Sequence, residues 1–206
     1  MFSRDPKGSA YGVRRYGDSA FRCFGVYMTS KITIVCGIDP GLRRTGYGVL
    51  RVDEDDDSIT VMDAGVIRGT PNESLAVRLA ELAAGIDEVL DENDVKVVAV
   101  EQIYSHYQRP RTAILMAHAR GALLLEAARR ACRVIHLPAT TIKRHLTGNG
   151  RASKEQMQRA VADALALDQI PEPADVADAL AIALCAVGML RQRARQTWSN
   201  DNLMTH

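Results

Sequence analysis

The chain has 206 residues, of which 47% are hydrophobic and 25% charged. This composition is ordinary for one globular domain and excludes a fibrous or mostly disordered protein. The 26 basic and 25 acidic residues leave a formal net charge of +1, so a polyanionic partner would need a local basic surface. The longest apolar stretch, residues 179–190, falls well short of the ~20 residues that span a membrane. We therefore expect no membrane segment. Because the four cysteines form no CxxC pair, we also expect a protein of the reducing cytoplasm.

The two ends of the chain differ from its middle. Basic residues outnumber acidic ones in residues 1–30, and no sustained periodicity is present there. We predict a disordered extension, or translation that natively begins near Met28; an organelle transit peptide is the alternative. Regular patterns then occupy residues 31–193, which we predict to be one domain, and residues 194–206 are predicted to be a tail.

Three strands are predicted at the start of that domain. The β-branched run 31–38 favours a buried strand, and a Pro-Gly turn at 40–41 leads to a second strand at 47–52. The acidic segment 53–57 is typical of a solvated hairpin loop, and a third strand follows at 59–68. These three strands predict an antiparallel meander.

Helices and strands alternate in the rest of the chain. Thr70 is a candidate N-cap, with Pro71 at the first helical position, and the helix that they begin is predicted to end near Asp91. The remaining predicted elements are a strand at 95–100, a helix at 111–130, a strand at 132–136, and helices at 140–146, 153–165 and 174–193. This order predicts an α/β fold, with a mixed five-stranded sheet and helices on both faces.

Four acidic residues stand where a charge is costly. Asp39 and Glu101 each end an apolar run, so both should leave the sheet at the end where α/β sheets bind ligands. Asp175 and Asp178 lie three residues apart on a helix whose same face continues with Ile182. Singly, each acid also fits a turn, a solvated strand end or a helix N-terminus. Together, buried carboxylates need a compensating cation, and oxygen ligands without histidine or cysteine suit Mg²⁺.

A basic cluster surrounds the Gly-Asn-Gly segment at 148–150. Its members are Lys143, Arg144, His145, Arg151, Lys154 and Arg159. Such a cluster can hold phosphates and would make binding dependent on salt. A solvated helix face is the alternative, but the density of basic residues favours phosphate contact.

Several segments occur in an order that matches a known nuclease family. They are residues 37–41 followed by 45–49, then 100–102, 119–121, 143–154 and 175–183. In these segments the chain resembles the RuvC-type crossover junction endodeoxyribonucleases, and the resemblance covers about residues 31–190. The opening motif alone would be weak evidence, but the ordered set is specific.

The resemblance implies a ribonuclease-H-like fold and a homodimer. It also implies resolution of four-way (Holliday) DNA junctions in homologous recombination and DNA repair, by paired symmetric nicks that leave 5′-phosphate and 3′-hydroxyl ends. The acids that it assigns to catalysis and metal binding are Asp39, Glu101, Asp175 and Asp178. Two Mg²⁺ ions per site are implied, with Mn²⁺ as a possible substitute. A complex with a branch-migration helicase is implied by the family alone.

The resemblance also bears on DNA contacts. The predicted DNA-binding residues are Lys143, Arg144, Arg151, Lys154, Tyr104, Arg109 and Arg111. Lys143 and Lys154 match positions where the family carries functionally important lysines. The loop after Glu101 departs from the family pattern, and Tyr104 stands where the family has an aromatic residue that stacks on an unpaired base. Tyr107 is a second candidate, and the departure leaves the preferred cleavage sequence open.

Other functions compete with this interpretation. A nuclease of the same fold could act on RNA or on other branched DNA. A non-catalytic junction-binding protein is disfavoured because all four acids are present. A sugar kinase or actin-like ATPase is excluded because it needs two such domains in a far longer chain. His136 and His145 are further candidate general bases, and for His136 we favour a structural role.

Overall fold

A five-stranded mixed sheet forms the centre of the molecule, in a computed structural model that describes residues 32–103 and 110–203. Its strands are β1 (Ile32–Asp39), β2 (Arg44–Asp53), β3 (Ile59–Arg68), β4 (Val97–Glu101) and β5 (Arg133–Leu137). The spatial order is β3-β2-β1-β4-β5. Strand β2 pairs antiparallel with β1 and β3, whereas β4 runs parallel to β1 and β5. The predicted meander and mixed sheet are therefore confirmed.

Helices cover both faces of this sheet. They are α1 (Leu75–Glu92), α2 (Pro110–Arg129), α3 (Ala139–Thr147), α4 (Lys154–Ala164) and α5 (Ala174–Leu203). Buried residues of α1 and α2 share one hydrophobic cluster with the sheet, and those of α3, α4 and α5 share the other. The predicted α/β architecture is confirmed.

Alternation along the central strands decides which side chains face α5. In β1, Ile38 belongs to the cluster with α1 and α2, while Val35 belongs to the cluster with α5. Because successive strand residues point to opposite faces, Asp39 shares the face of Val35. In β4, Ala99 likewise belongs to the α5 cluster, which places the Glu101 side chain on that same face.

Helix α5 lies against the sheet with almost no space between the backbones. A Cβ atom added at Gly37 would stand 2.2 Å from the carbonyl oxygen of Ala179, and one at Gly46 only 2.0 Å from that of Asp175. Only glycine fits such an approach, since these distances lie far inside van der Waals contact. These two residues, which we call the glycine seam, let the backbone of α5 contact β1 and β2 directly, at the end of the sheet that carries Asp39.

Helix α1 begins later than predicted. Its N-cap is Ser74, whose hydroxyl accepts a hydrogen bond from the backbone N–H of Val77. Asn72 has a φ of 67°, a left-handed conformation that a helix cannot include. Thr70 instead donates its backbone N–H and its hydroxyl to the Glu81 carboxylate, at 2.7 and 2.6 Å. The prediction of Thr70 as the cap was wrong because a local pattern cannot show this longer-range contact.

Helix α5 also exceeds its predicted end at residue 193 and continues to Leu203. Residues 194–203 contain no glycine or proline that would end a helix. Arg191 anchors this half of α5, since its guanidinium bonds both the carbonyl oxygen and the carboxylate of Asp57 in the β2–β3 turn. Residues 1–30 lie outside the described residues, so the predicted extension stays a prediction.

Two further features of the fold concern the cysteines and the hydropathy of the helices. Cys36, Cys132 and Cys185 are free and buried, and burial raises the pKa of the Cys185 thiol to about 11. In residues 32–103 and 110–203, no helix combines the length and apolarity needed to cross a membrane.

Candidate active site

Two acids of the site come from neighbouring central strands. Asp39 ends β1 and Glu101 ends β4, and the residues just before them, Ile38 and Val100, are direct partners in the parallel ladder. The two carboxylates therefore leave adjacent positions, on the α5 face of the sheet. Both residues are partly buried.

Two further acids come from the first turns of α5. The glycine seam brings the backbone of Asp175 against β2, and Asp178 lies one turn further on. Both side chains are partly exposed, and each forms an ion pair with a basic side chain. Asp175 Oδ2 is 3.4 Å from Arg44 Nε, and Asp178 Oδ2 is 3.4 Å from Lys154 Nζ. The prediction that this face of α5 points at the sheet is supported.

The electrostatics show that the four acids act on one another. Burial, together with the charges of Asp178, Glu101 and Asp175, raises the pKa of Asp39 to about 7. Burial also raises the pKa of Glu101, with a smaller contribution from Asp178. Burial raises the pKa of Asp178 as well, against the opposing charge of Lys154. The structure thus brings together the four acids that the sequence singled out.

The donor set fits a hard divalent cation. It offers carboxylate oxygens only, and the raised pKa of Asp39 reflects burial first and then neighbouring negative charge that a cation would neutralise. Among the described residues, no three acidic, histidine or cysteine side chains are already grouped as ligands of one ion. Asp175 and Asp178 pair with Arg44 and Lys154. The four carboxylates are near enough to affect one another's pKa, and they are the side chains that could hold a metal.

Two lysines flank the acids. Lys154 is the first residue of α4, and the preceding Ser153 forms a capping box with Gln156 that fixes where this helix begins. Lys143 lies on α3, and its positive charge lowers the pKa of both Glu101 and Asp178. Two of the predicted DNA-binding residues thus stand beside the carboxylates.

The other predicted DNA contacts lie farther out or outside the described residues. Arg144 is exposed in the last turn of α3, and Arg151 is exposed on the α3–α4 connection. That connection is well defined, since Gly148 ends α3 at a φ of 71° and the Asn149 side chain accepts from the backbone N–H of Arg151. Arg111 is exposed in the first turn of α2. The remaining candidates, Tyr104, Tyr107 and Arg109, fall outside the part of the chain that the structure describes.

The two histidines considered as bases have other surroundings. His145 packs against α5 so closely that a Cβ at Gly188 would be 2.1 Å from its ring. His136 contacts Arg120, with 2.7 Å between Nδ1 and Nη2. Sequence reasoning gave no role to Arg44 or Arg120; the only signal for Arg120 was the segment 119–121 in the family resemblance.

Fold and site together define a class of protein, the ribonuclease-H-like nucleases. The model of the family described as crossover junction endodeoxyribonuclease RuvC matches residues 35–186. A relative of that name from Rhodopirellula baltica is 48% identical over 151 residues, which is 73% of this chain and 84% of the relative. One from Legionella pneumophila is 39% identical over 75% of this chain and 86% of its own length. The chain belongs to the RuvC family and is a hydrolase of the endodeoxyribonuclease class.

Solved structures agree with this assignment. Thermus thermophilus RuvC superposes with a TM-score of 0.71 at 32% identity, over 78% of this chain and 96% of that one. The same protein in complex with a Holliday junction substrate gives 0.70 at 30% identity, with the same coverage. A yeast mitochondrial Holliday junction resolvase shares the fold at 15% identity, with a TM-score of 0.53. The ribonuclease-H-like fold is therefore confirmed.

Proposed function

We propose that this chain resolves four-way DNA junctions as a homodimer, each copy nicking one of two symmetry-related strands. The products would be 5′-phosphate and 3′-hydroxyl ends, and the cellular role would be homologous recombination and DNA repair. The observation that carries the proposal is the convergence of four acids at one end of the sheet, expressed in the raised pKa of Asp39. The Holliday junction complex of Thermus thermophilus RuvC supports the substrate.

The metal chemistry follows from the donor set. Asp39, Glu101, Asp175 and Asp178 would hold two Mg²⁺ ions, or Mn²⁺ in their place. When bound, such ions supply a deprotonated water as nucleophile and stabilise the leaving 3′ oxygen. Asp39 must lose its proton to become a ligand, since metal binding competes with protonation. Its pKa of about 7 makes this step sensitive to pH near neutrality.

The basic residues would admit a phosphate to an acidic site. Lys143 and Lys154 place positive charge beside Glu101 and Asp178, and so reduce the repulsion that a DNA phosphate would meet there. Arg144, at the end of α3, and Arg151, on the α3–α4 connection, would hold neighbouring phosphates. Arg111 would do the same at α2, and base stacking by Tyr104 and a contact from Arg109 remain proposals from the sequence.

A second copy would cover an exposed stripe on α2. Ile114 is 56% exposed and Leu125 is 51% exposed, and exposed His118 and Gly121 lie between them at helical spacing. Large apolar side chains exposed on one helix face favour a protein interface. A two-fold junction cut on opposed strands needs a two-fold pair of sites, which makes another copy of this chain the partner. A branch-migration helicase as further partner is proposed from the family alone.

The proposed dimer is tested by introducing one charged residue into the exposed stripe of α2. Leu125→Glu should convert a dimer to a monomer in sedimentation velocity, because it places a charge inside the interface. Ile170→Glu is the matched control, since Ile170 is also exposed, at 43%, but lies between α4 and α5. A monomeric wild type, or equal behaviour of the two variants, would reject α2 as the interface.

The nuclease proposal is tested on labelled DNA. Wild type is incubated with a synthetic four-way junction or a linear duplex, each with and without Mg²⁺, beside Asp39→Asn and the control Asp87→Asn. Paired ligatable nicks on the junction alone, dependent on Mg²⁺ and absent only in Asp39→Asn, are expected. Tight junction binding without cutting would mean a binding module, and neither binding nor cutting of the junction would reject the substrate class.

A further inference from the structure

A partly buried arginine stands behind the acid of β4. Arg120, on α2, donates its Nε–H to the backbone carbonyl oxygen of Glu101 at 3.1 Å. The N–H of the same peptide group, at Gln102, donates to the carbonyl oxygen of Leu137 on β5 at 2.9 Å. Both polar groups of the Glu101–Gln102 peptide are therefore held. Rotation of this peptide would swing the Glu101 side chain, so its two partners set the direction of that carboxylate.

Arg120 lies on the opposite face of the sheet from the acids. Helix α2 packs on the face of Val98 and Val100, whereas Glu101 follows the alternation of Ala99 towards α5. The guanidinium consequently reaches the backbone of Glu101 from behind. It is placed to act on Glu101 without touching a phosphate bound among the carboxylates, which distinguishes it from Lys143.

A histidine holds the arginine in turn. Arg120 Nη2 is 2.7 Å from Nδ1 of His136 on β5. Because a guanidinium can only donate, Nδ1 must accept and the ring proton must sit on Nε2. Burial and the charge of Arg120 lower the pKa of His136, in keeping with a neutral ring. The chain His136–Arg120–Glu101 thus links β5 to β4 through α2.

From this geometry we infer that Arg120 is a positioning residue for Glu101 as a metal ligand and that His136 orients Arg120, an inference that rests on the proposed nuclease function. Groups behind a metal ligand fix its orientation, and their loss costs about 10–100-fold in metal affinity or activity. Arg120→Gln should lower the single-turnover cutting rate about 10-fold or more and weaken Mn²⁺ binding by a similar factor. Junction affinity without metal should change less than about twofold.

The test compares variants at three positions of the full chain. Mn²⁺ binding is measured by calorimetry in the absence of DNA, beside cutting rates and junction affinity. Arg129→Gln is the matched control, because Arg129 lies on α2 but pairs with Glu126 and is largely exposed. His136→Leu removes the acceptor, while His136→Asn keeps one near the position of Nδ1 and should restore most of the lost activity.

The outcomes separate this inference from the proposed function. A wild type that does not cut junctions would reject the proposed function, whereas Mn²⁺ affinity still reports on Arg120. A cutting wild type with Arg120→Gln equal to Arg129→Gln in rate and Mn²⁺ affinity would overturn the inference. Equal losses in His136→Leu and His136→Asn would overturn the role of His136. Thermal unfolding of each variant shows whether the measured loss occurs in folded protein.

Discussion

Two groups of aspartates in this molecule have opposite electrostatics. Asp87 and Asp91 on α1 share the guanidinium of Arg130, which lies 2.6 Å from Asp87 Oδ1 and also contacts Asp91. This hydrogen bonding lowers the pKa of Asp87. At the end of the sheet, burial and three neighbouring acids raise the pKa of Asp39 to about 7.

The difference separates carboxylates that stabilise the fold from those kept for chemistry. Ionised Asp87 has a full partner and adds to stability. Ionised Asp39 is buried beside Asp178, Glu101 and Asp175, so its charge destabilises the folded state. A bound cation would offset this destabilisation. The sequence presents the same residue type in both places, and only the surroundings divide the two roles.

The largest effect is expected at Asp39, where one substitution should lower activity and raise stability. Asp39→Asn should reduce junction cutting at least about 100-fold, the loss typical of one preorganised electrostatic group. It should also raise the unfolding midpoint in EDTA by about 2–6 °C, since it removes a repelled charge. Asp87→Asn should do the reverse, leaving cutting intact and lowering the midpoint. A destabilised Asp39→Asn would show that the carboxylate supports the fold.

The pH dependence of stability should differ in sign between the two groups. Between pH 3.8 and about 7 the folded chain keeps a proton on Asp39 that the unfolded chain has lost. Stability without metal should therefore fall as pH rises through this window, by on the order of 1–3 kcal/mol. Asp87 has a lowered pKa, so its contribution is present above its ordinary value and lost as pH falls.

Urea unfolding in EDTA at pH 5 and pH 8 measures this contrast. The Asp39→Asn variant should lose less stability than wild type between the two values. Equal losses in both proteins would mean that Asp39 titrates normally in the fold. With Mg²⁺ present, metal affinity should instead rise with pH, because the ion competes with the proton.

A smaller effect is expected from the structural cluster alone. Arg130→Gln should lower the unfolding midpoint by a few degrees, as exposed ion pairs contribute modestly. Cutting per folded molecule should stay at the wild-type rate when assayed well below the midpoint. A changed rate would show that the Arg130 cluster communicates with the acids.

Leu180→Ala, on the buried face of α5, should destabilise the fold more strongly than Arg130→Gln, by about 2–5 kcal/mol.

The smallest effect concerns the exposed basic residues that lie farther from the acids. Arg144→Gln and Arg151→Gln should each reduce the slope of log binding constant against log salt by about one. Junction binding is measured by fluorescence anisotropy from low to high salt. Arg133→Gln, at the exposed first residue of β5, is the control, and an equal slope change there would mean that the charge acts nonspecifically.

The sequence predicted most of the site because its signals are local. Asp39 and Glu101 are visible as acids that end apolar strands, and Asp175 and Asp178 as a pair on one helix face. The order of strands and helices along the chain follows from the same periodicities. What local patterns cannot supply is a partner far along the chain. The contact of Arg120 with Glu101 and that of Thr70 with Glu81 arise only when the fold brings them together.

The glycine seam has a consequence for mutational tolerance. Side chains elsewhere in the core can exchange volume with their neighbours, but at Gly37 and Gly46 the backbone of α5 rests on the sheet itself. No repacking of neighbours can change that spacing, so the height of Asp175 and Asp178 above the strands is insulated from drift in the rest of the core. The precision of the site is set there by the absence of side chains.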